Sequence, residues 1–414
     1  MKRITLGRCA DVKISGVDKN TYESETLVRL CNYTDVYYNW AITDNHYDGF
    51  MRASATESEI GKFKVRKGQV ALTKDSETRE DIGKPALIAS DFDDVVLGYH
   101  CALITPDDSQ LDGKYLNALL NTAYVKRFFA NNAGGSGQRY YLSETNIKDL
   151  PLFLPDLPDQ KKIGKFLSSV DRLIELSRKR IENLEKLAKE IYDYWFVQFD
   201  FPDKNGKPYK TSGGKMVYNA ELKREIPVGW KVGRLSSIAS FVDDGVKSDL
   251  IDAFHYVTTD SLLQGKAGRR IVDNLPVTTI TLTKFKPLDV LVSNIRVYLK
   301  KIWFADCCGG CSHDVLVFRA KVVPSEYLYS FLRKDLFFDY VSSAAKGSKM
   351  PRGDKAHIMR MPITIPDNTL LKQFSDIVKE YKGGMTCSTK MIDELTQLRE
   401  FLLPLLMNGQ AKMR

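Results

Sequence analysis

The sequence predicts a mixed α/β (α+β) protein in which two similar globular domains are separated by two long antiparallel helices forming a coiled-coil-like spacer. Three observations favour this fold class: a repeat at one constant offset, an apolar stripe of helical period in each copy, and short β-branched runs in each globular half. A chain built twice in this order is expected to show a pseudo-twofold, or circular, arrangement of its halves.

The repeat is anchored on two short segments, Leu150–Pro155 and Met361–Pro366, which lie 211 residues apart. At this offset each copy carries a stripe whose members step alternately by four and three residues, the heptad pattern of a helix packed against another helix. One stripe alone could be a surface helix facing a core, so the constant offset is what favours pairing of the two stripes. The first stripe is Ile163, Leu167, Val170, Ile174, Ser177, Ile181, Leu184, Ala188, Ile191 and Trp195. The second is Phe374, Val378, Tyr381, Met385, Ser388, Ile392, Leu395, Arg399, Leu402 and Leu406.

The ends of the two predicted helices carry different signals. Asp159 and Gln160 follow Pro158 and mark the start of the first helix. The second copy contains Gly383-Gly384 and, near its end, Pro404, which together predict a kink or a break into two helices.

Each globular half contains short β-branched runs followed by one apolar helix, which is typical of an α/β or α+β domain. The repeat continues here, because His100–Ile104 resembles His313–Val317. The predicted strands are Phe63–Leu72, Val95–Ile104, Val277–Leu282, Val290–Ser293 and Val315–Phe318, and the predicted helices are Asp112–Asn131 and Pro324–Ser342.

These patterns divide the chain into four segments. Residues 1–155 form the first globular domain and 156–200 the first spacer helix; 201–365 form a connector and the second globular domain, and 366–414 the second spacer helix. The segment 200–229 is rich in Pro, Gly, Lys and Asp, which is typical of an exposed connector or hairpin.

Composition limits the partners and the location. The 414 residues carry a formal net charge of +9, which favours an anionic partner, nucleic acid first and a membrane surface second. No stretch approaches the ~18 apolar residues of a membrane span. Because the first ten residues turn polar and the seven cysteines are scattered, we expect no signal peptide, reduced thiols and a cytoplasmic location.

A small basic loop follows the helix in each half, Ala133–Tyr140 in the first and Ala345–Gly353 in the second. Glycine lets the backbone approach a phosphate closely, and Arg or Lys adds positive charge. One such loop could be a plain surface turn, but two in equivalent places favour contact with nucleic acid.

Catalytic signatures are missing from the sequence. There is neither the Asn/Asp-Pro-Pro-aromatic segment of a methyltransferase nor a P-loop. Pro106-Asp107, followed by Asp112-Gly113-Lys114, imitates a nuclease metal site, but it falls in a polar turn before a helix, where Asp and Gly are expected as caps. The sequence therefore predicts a non-catalytic chain.

Two other groups of residues could form a metal site or a catalytic site. Cys308 and Cys311, with Cys307 and His313 nearby, suggest zinc, but no fourth ligand is evident, so a reduced cluster beside a strand is the better interpretation. His100 and His313 recur in similar places without a nucleophile, and we predict that they are structural hydrogen-bonding residues.

At this point the whole chain resembles the specificity subunits of type I restriction-modification systems. The resemblance rests on the order of several segments rather than on one motif, and the second copy departs from it where Leu371 replaces Gln160 and Gly383-Gly384 interrupts the stripe. The segments are the two Pro-x-x-x-Pro runs from Pro151 to Pro155 and from Pro362 to Pro366, the helix opening Asp159–Ile163, Asn32–Tyr37, and Ile226–Trp230 followed by Leu235.

The resemblance implies a mechanism. Each target-recognition domain would read one half of a split, asymmetric site in double-stranded DNA, and the antiparallel helices would dock two modification (methyltransferase) subunits. Those subunits would bind S-adenosylmethionine and methylate adenine, and motor-nuclease restriction subunits using ATP and Mg²⁺ would cut unmodified DNA. This chain itself would need no cofactor and no metal.

Reading DNA requires contacts to phosphates for register and contacts to base edges for sequence. Each residue chosen for these contacts could instead be a solvated surface side chain. For phosphates we favour Lys74, Arg139, Lys346, Lys349 and Arg352. For bases we favour Tyr33, Asp35, Tyr37, Ser76 and Arg79 in the first domain, and Lys247, Arg296 and Tyr298 in the second.

The alternative is a coiled-coil interaction scaffold that joins protein partners without touching DNA. The two hypotheses differ in salt dependence, because DNA binding through several phosphates weakens steeply with salt.

The stripe from Ile163 to Trp195 implies a helical rod of roughly 50 Å at about 1.5 Å per residue. If this rod sets the gap between two DNA blocks, four residues inserted into the first helix should add about 6 Å, or about two base pairs at ~3.4 Å each. Sequencing the methylated sites made by such a variant measures the gap, and an unchanged gap would contradict the spacer role.

Overall fold

A computed structural model describes residues 2–137, 139–347 and 349–411, so Gln138 and Ser348 of the two basic loops lie outside the described residues. The chain divides into two compact units, which are described one at a time. Unit 1 contains residues 1–179 and 388–414, and unit 2 contains residues 180–387. Both long helices contribute residues to both units. The domain boundaries predicted from the sequence stay a prediction.

Unit 1 is built from short strands and helices, followed by the first long helix, which continues into unit 2. Its strands are β1 Lys2–Thr5, β2 Ala10–Ile14, β3 Thr26–Cys31, β4 Ala41–Ile42, β5 Met51–Ala55, β6 Val70–Thr73, β7 Asp75–Ser76, β8 Pro85–Ile88, β9 Val95–Leu97, β10 Cys101–Pro106, β11 Gly134–Ser136, β12 Arg139–Tyr141 and β13 Pro151–Leu154. Its helices are α1 Tyr33–Tyr38, α2 Glu57–Phe63, α3 Gly113–Leu120, α4 Ala123–Asn132, α5 Glu144–Lys148 and the long α6 Leu157–Tyr192, with 3-10 turns at Leu6–Arg8 and Asp44–Gly49.

The central sheet of unit 1 has the strand order β2-β10-β6-β8-β4 and is buried on both faces. Successive side chains of a strand point to opposite faces, so Val70 and Leu72 pack with α3 and α4, while Ala71 packs with Val36 and Phe50 on the other side. Because both faces of β6 are buried, this strand appears in the sequence as a continuous apolar run.

Unit 2 begins with the end of α6, which continues as a π-helical turn at Asp193–Val197. Its strands are β14 Met216–Asn219, β15 Arg224–Pro227, β16 Lys231–Arg234, β17 Ala239–Phe241, β18 Gly245–Lys247, β19 Tyr256–Val257, β20 Thr281–Phe285, β21 Val290–Ser293, β22 Ile302–Phe304, β23 Gly309–Cys311, β24 Val315–Ala320 and β25 Pro362–Ile365. Its helices are α7 Leu235–Ile238, α8 Ser325–Leu332, α9 Asp335–Ser343, α10 Lys355–Met359 and the long α11 Asn368–Met407, with 3-10 turns at Ser248–Leu250, Gln264–Lys266 and Val297–Leu299.

The two units repeat the same internal plan, which confirms the predicted mixed fold class. The sheet order β2-β10-β6-β8 of unit 1 is matched by β17-β24-β21-β22 of unit 2. In unit 1, β1 pairs antiparallel with β13 and Leu6 N–H donates to Leu150 O over 2.9 Å; in unit 2, β16 pairs with β25 and Leu235 N–H donates to Met361 O over 2.8 Å.

The apolar stripes of α6 and α11 face each other within each unit. In unit 1, Ile163 and Leu167 share a buried core with Leu406, and Ser177 Oγ lies 3.5 Å from Met391 Sδ. Because residues early in α6 meet residues late in α11, the two helices are antiparallel there. The stripe members of unit 1 that the sequence predicted as packing residues are Ile163, Leu167, Val170, Ile174, Ile392, Leu395 and Leu402, and all are buried or partly buried.

Unit 2 shows the same antiparallel contact with the complementary halves of the helices. Trp195 and Phe374 lie in one core, with ring centroids 6.2 Å apart. The stripe members here are Ile181, Leu184, Ile191, Phe374, Val378 and Tyr381, which are also buried or partly buried. Packing of the two predicted stripes is thus seen within each unit.

The predicted break in the second helix is wrong, because α11 is continuous from Asn368 to Met407. Gly384 marks a close approach: a Cβ added there would lie 3.0 Å from Cδ1 of Leu184. Pro404 stands in the last turn, so a bend at this residue affects only the three helical residues that follow it. The first helix begins at Leu157, two residues before the predicted start, and the carboxylate of Asp156 accepts from Asp159 N–H over 3.4 Å.

Several predicted elements of the globular halves are divided in the structure. The helix predicted at Asp112–Asn131 is split into α3 and α4, because Thr122 accepts from Val125 N–H and starts a new helix. The helix predicted at Pro324–Ser342 is also split, into α8 and α9, although Lys334 at the start of α9 makes no side-chain capping hydrogen bond.

The predicted strands Val290–Ser293 and Val315–Phe318 are confirmed, while three others differ. The strand predicted at Phe63–Leu72 begins only at Val70, because Thr56 and Glu59 form a capping box that starts α2. The strand predicted at Val95–Ile104 is interrupted between β9 and β10, and the one at Val277–Leu282 begins only at Thr281.

Unit 2 also contains a buried lysine. The Nζ atom of Lys382 on α11 lies 3.1 Å from the ring centroid of Phe304 and 5.3 Å from that of Tyr329. Among the described residues this Nζ has no hydrogen-bond partner. Burial lowers the pKa of Lys382 to about 8, against a weaker opposing effect of Glu326.

Replacing Lys382 with Met should stabilise the protein at neutral pH. The folded-state pKa of this lysine lies below its ordinary value of 10.5, so folding disfavours the charged form. The gain at pH 7 should be on the order of 1–3 kcal/mol, since one pKa unit corresponds to about 1.4 kcal/mol. The wild type recovers this deficit as pH rises from about 8 toward 10.5, so the advantage of the variant should shrink in that window.

Urea unfolding followed at a series of pH values measures this difference. Lys379→Met is the matched control, because Lys379 is exposed one turn earlier on the same helix. Equal behaviour of the two variants would contradict the effect of burial.

Candidate nucleic-acid interface

A cleft of about 630 Å³ in unit 1 is lined by several of the residues that the sequence predicts for DNA contact. Strand β12 pairs with β7, so that Tyr140 lies opposite Ser76 and Tyr141 opposite Asp75. This pairing brings the basic loop next to the segment that follows the central strand β6. The lining residues are Tyr33, Thr34, Tyr37, Tyr38, Asp75, Ser76, Glu77, Thr78, Asp81, His100 and Arg139.

Asp75 is the centre of charge in this cleft and is only 8% exposed. Its Oδ2 atom lies 2.9 Å from Lys74 Nζ, 2.6 Å from His100 Nδ1 and 3.7 Å from Arg139 Nη2. Burial by itself raises the pKa of the Asp75 carboxyl, but hydrogen bonds from His100 and Lys74 outweigh it and the net pKa is lowered. The carboxylate is therefore ionised at neutral pH and offsets part of the positive charge around it.

Tyr33 and Tyr37 form one wall of the cleft. Their rings stack with centroids 5.5 Å apart, and the hydroxyl of Tyr37 donates to Asp81 Oδ2 over 2.6 Å. That hydrogen bond raises the pKa of Tyr37, and burial raises the pKa of Tyr33 to about 12. Both phenols therefore stay protonated at neutral pH, but Tyr37 uses its one O–H on Asp81, so Tyr33 is the one of the two that can donate to a ligand.

Two further residues of the predicted set have defined places in unit 1. The guanidinium of Arg79 lies 5.0 Å from the ring centroid of Tyr140, beside the cleft. Asp35 has a structural task instead: its Oδ2 accepts from Asn32 N–H over 2.7 Å and caps α1. The sequence predicts base contact for Asp35 and not this cap, and the base contact stays a prediction.

In unit 2 the second basic loop is held in a similar way. Arg352 and Lys346 exchange backbone hydrogen bonds of 2.9 Å, and Arg296 N–H donates to Pro351 O over 2.9 Å. The side chain of Arg352 reaches Asp314, with Nη2 2.9 Å from Oδ1.

These contacts bring Arg296 and the 3-10 turn at Val297–Leu299, which carries the exposed Tyr298, next to the loop. Arg296 adopts a left-handed backbone with a φ of 49°, a conformation that few non-glycine residues take. Lys346 and Lys349 are exposed in the loop. Lys247 lies on the other sheet, at the end of β18, where Nζ donates to Thr281 Oγ1 over 3.2 Å.

Backbone contacts correct one detail of the predicted repeat. Lys74 N–H donates to His100 O in unit 1, and Asn294 N–H donates to Asp314 O in unit 2. The structural equivalent of His100 is therefore Asp314 and not His313, which stands one residue earlier. His313 therefore lies one residue away from the position of His100, and the two histidines are not structural equivalents.

The sequence does not predict four of the residues found at these two surfaces, namely Asp75, Asp81, His100 and Asp314. Asp75 directly follows Lys74, which the sequence predicts as a phosphate contact. From the sequence alone, a carboxylate next to a lysine is expected to form a solvated ion pair, and only the fold shows that Asp75 is buried. His100 lies in the cleft with Nδ1 against Asp75, so it does make the structural hydrogen bond predicted for it.

The cysteines considered for zinc have other neighbours. Cys307 Sγ lies 3.7 Å from Arg269 Nη2, and Cys311 Sγ lies 3.8 Å from Val315 O. The described ranges contain no group of three or more side chains placed to hold a metal ion. Across the same ranges, every helix is too short or too polar to cross a bilayer.

Asp75→Asn should destabilise unit 1 at neutral pH, because the amide cannot accept as strong hydrogen bonds from Lys74 and His100. Hydrogen bonds to charged groups contribute about 1.5–3 kcal/mol each, so we expect a loss of that order. The folded pKa of Asp75 is depressed, so the contribution is present above about pH 4 and is lost as the pH falls below it.

Thermal unfolding between pH 3 and pH 7 tests this. Asp11→Asn is the control, because the exposed ion pair of Asp11 with Lys13, at 3.2 Å, should contribute about 0–1 kcal/mol. A similar loss for both variants, or one independent of pH, would contradict the role given to Asp75.

Comparison with known proteins agrees with this architecture. Residues 16–186 match the family model of the type I restriction modification DNA specificity domain. The type I restriction enzyme MjaIX specificity subunit of Methanocaldococcus jannaschii is 25% identical over 324 residues, which cover 75% of this chain and 71% of that protein. The EcoDI specificity subunit of Escherichia coli is 23% identical over 263 residues, covering 58% of this chain and 56% of its own length.

The fold is also similar to a solved structure. The S subunit of a type I restriction-modification system from M. genitalium superposes with a TM-score of 0.56 over 98% of this chain and 95% of that one, at 14% identity. At this identity the likeness shows the fold alone. Family model, relatives and fold agree that this chain is similar to the specificity subunits of type I restriction-modification systems.

Proposed function

We propose that this chain recognises a two-part, asymmetric DNA sequence on behalf of a type I restriction-modification complex. The observation that carries the proposal is the repetition, in each unit, of a basic loop held against the end of the central strand by backbone hydrogen bonds. Two such loops in one chain suit two separate blocks of DNA sequence.

Within this proposal the cationic side chains contact phosphates and set the register on the duplex. Lys346 and Lys349 are well suited to this, because their side chains are exposed in a loop. Lys74 is mostly covered by Asp75 and would need to turn outward. The full set proposed for phosphate contact is Lys74, Arg139, Lys346, Lys349 and Arg352.

Polar and aromatic side chains of the same surfaces contact base edges. Tyr33 offers a phenol donor, Tyr37 offers a phenol oxygen that can accept while its O–H is bonded to Asp81, and Ser76 adds a hydroxyl to the same cleft. The full set proposed for base contact is Tyr33, Asp35, Tyr37, Ser76, Arg79, Lys247, Arg296 and Tyr298.

We propose that the long helices hold the two reading surfaces apart and dock two methyltransferase subunits, through which the restriction subunits join. Apolar side chains that lie off the paired stripe support this, because Leu173, Leu176 and Leu187 are each nearly half exposed on α6. Exposed apolar side chains on a charged helix suit a protein partner.

The chemistry then belongs to the partners, which would bind S-adenosylmethionine, ATP and Mg²⁺. This chain would contribute recognition and no catalytic group. We propose that the chain acts in the cytoplasm of a prokaryotic cell, where it would meet this DNA and these partners.

The competing function, a scaffold without DNA contact, differs in its response to salt. Binding of the complex of this chain with its methyltransferase subunits to DNA carrying its methylation site should weaken steeply between 50 and 200 mM salt. Each phosphate contact contributes about 0.9 to the slope of log affinity against log salt. Lys349→Ala should reduce the steepness by about one contact.

Lys62→Ala is the matched control, because Lys62 is exposed on α2 and is not among the residues proposed for DNA contact. An affinity that does not change with salt, or the absence of DNA binding by the complex, would favour the scaffold. Sequencing of the methylated DNA from cells carrying the complex would show whether the site has two blocks.

A further inference from the structure

We infer that each half of the DNA site contains a guanine that is read by an arginine held in place by a carboxylate: Arg139 in unit 1 and Arg352 in unit 2. This inference rests on the proposed function, and it identifies guanine as one of the bases that the chain reads in each half of the site. It moves these two arginines from phosphate contact to base contact.

In unit 1, the guanidinium of Arg139 lies next to His100 and Asp75. Arg139 Nη2 lies 3.2 Å from His100 Nδ1 and 3.7 Å from Asp75 Oδ2, and the side chain stays 66% exposed toward the cleft. His100 Nδ1 is only 2.6 Å from the same carboxylate. Because His100 Nδ1 donates to Asp75, the carboxylate of Asp75 is the charge partner of the guanidinium, and most of the arginine side chain stays open to a ligand.

In unit 2 the same device is assembled from different residues. Arg352 Nη2 lies 2.9 Å from Asp314 Oδ1, and its side chain is 59% exposed. The carboxylate here comes from the position that His100 occupies in unit 1, as the backbone contacts of Lys74 and Asn294 show.

The two arginines also share a face of the equivalent loop strand. Leu142 N–H donates to Lys74 O, and Gly353 N–H donates to Asn294 O, so Leu142 and Gly353 are equivalent. Arg352 then corresponds to Tyr141, two residues from Arg139. Side chains two residues apart on a strand point to the same face, so both arginines rise from the same side of the loop.

The carboxylates favour a base over a phosphate as the ligand. A negative charge next to the guanidinium offsets the positive charge that attracts phosphate, but it leaves the planar donor fork intact. That fork matches O6 and N7 of guanine in the major groove, the commonest specific contact of arginine with DNA. A side chain fixed in advance also loses less conformational entropy when it binds.

The cleft of unit 1 offers a partner for the paired cytosine as well. Glu77 lines the same cleft as Arg139. A carboxylate accepts from the N4 amino group of cytosine, which lies beside guanine O6 in the major groove. Donor and acceptor in one cleft therefore suit a G·C pair.

The test uses the complex of this chain with its methyltransferase subunits. Sequencing of methylated DNA first defines the site of the wild type, and the same measurement is made for Arg139→Ala and Arg352→Ala. Each variant should lose selectivity for one G·C pair by about 5- to 150-fold, the first only in one block and the second only in the other. The two variants thus serve as controls for each other.

Two further measurements separate a base contact from a phosphate contact. Replacing the guanine with 7-deazaguanine removes N7, and should weaken the wild type but cause no further loss in the matching alanine variant. Lysine keeps the charge without the fork, so Arg139→Lys should stay relaxed at this base pair. Arg127→Ala, which removes an exposed arginine from α4, should leave the site unchanged.

The outcomes are distinct. If Arg139→Ala weakens all sequences equally, lowers the salt slope by about one contact and is restored by lysine, the arginine binds phosphate and the inference fails. It also fails if the wild-type site lacks a G·C pair in either block. If the complex binds no DNA at all, the proposed function fails first. A melting temperature equal to that of the wild type excludes misfolding of the variants.

Discussion

Burial of one apolar stripe on each long helix is the constraint on which the rest of the structure depends. Leu167 and Phe374 are fully buried, and each lies in the core of its unit together with residues from the sheet. Since the same stripe continues along each helix from one unit to the other, the globular parts cannot be detached from the helices without opening both cores. The basic loops are held, through the sheets, to this frame.

Polar groups within the stripe limit how the helices can pair. Arg399 stands at a stripe position of α11 in unit 1, where it lies 3.1 Å from Asp171 and 4.5 Å from the ring centroid of Trp40. Burial raises the pKa of Asp171 to about 6 even though Arg399 opposes it. A buried pair of this kind contributes little net stability, but a slip of the helices would leave its charges unpaired. It therefore favours one register, as a single polar residue does in a coiled coil.

The two reading surfaces share a backbone plan but differ in side chains. The loop strand meets the end of the central strand in both units, while the carboxylate that holds the arginine comes from β7 in one and from the residue before β24 in the other. Hydrogen bonds of the main chain do not depend on side-chain identity. The frame can consequently stay the same while the surface presented to the ligand varies, as the two different halves of the proposed asymmetric site would require.

The periodic features of this protein could be determined from the sequence. Heptad spacing identified Ile163–Trp195 and Phe374–Leu406 as packing stripes, and the offset between the halves predicted two units of one plan, because burial imposes a period that survives in the order of residues. What depends on contacts distant in the chain was decided only by the tertiary structure. Gly383-Gly384 does not break α11, and Gly384 instead lets Leu184 of the other long helix approach closely. Asp75 is a buried acceptor because β12, 64 residues later, covers it. Asp314 replaces His100 through a shift of one residue that only strand pairing reveals.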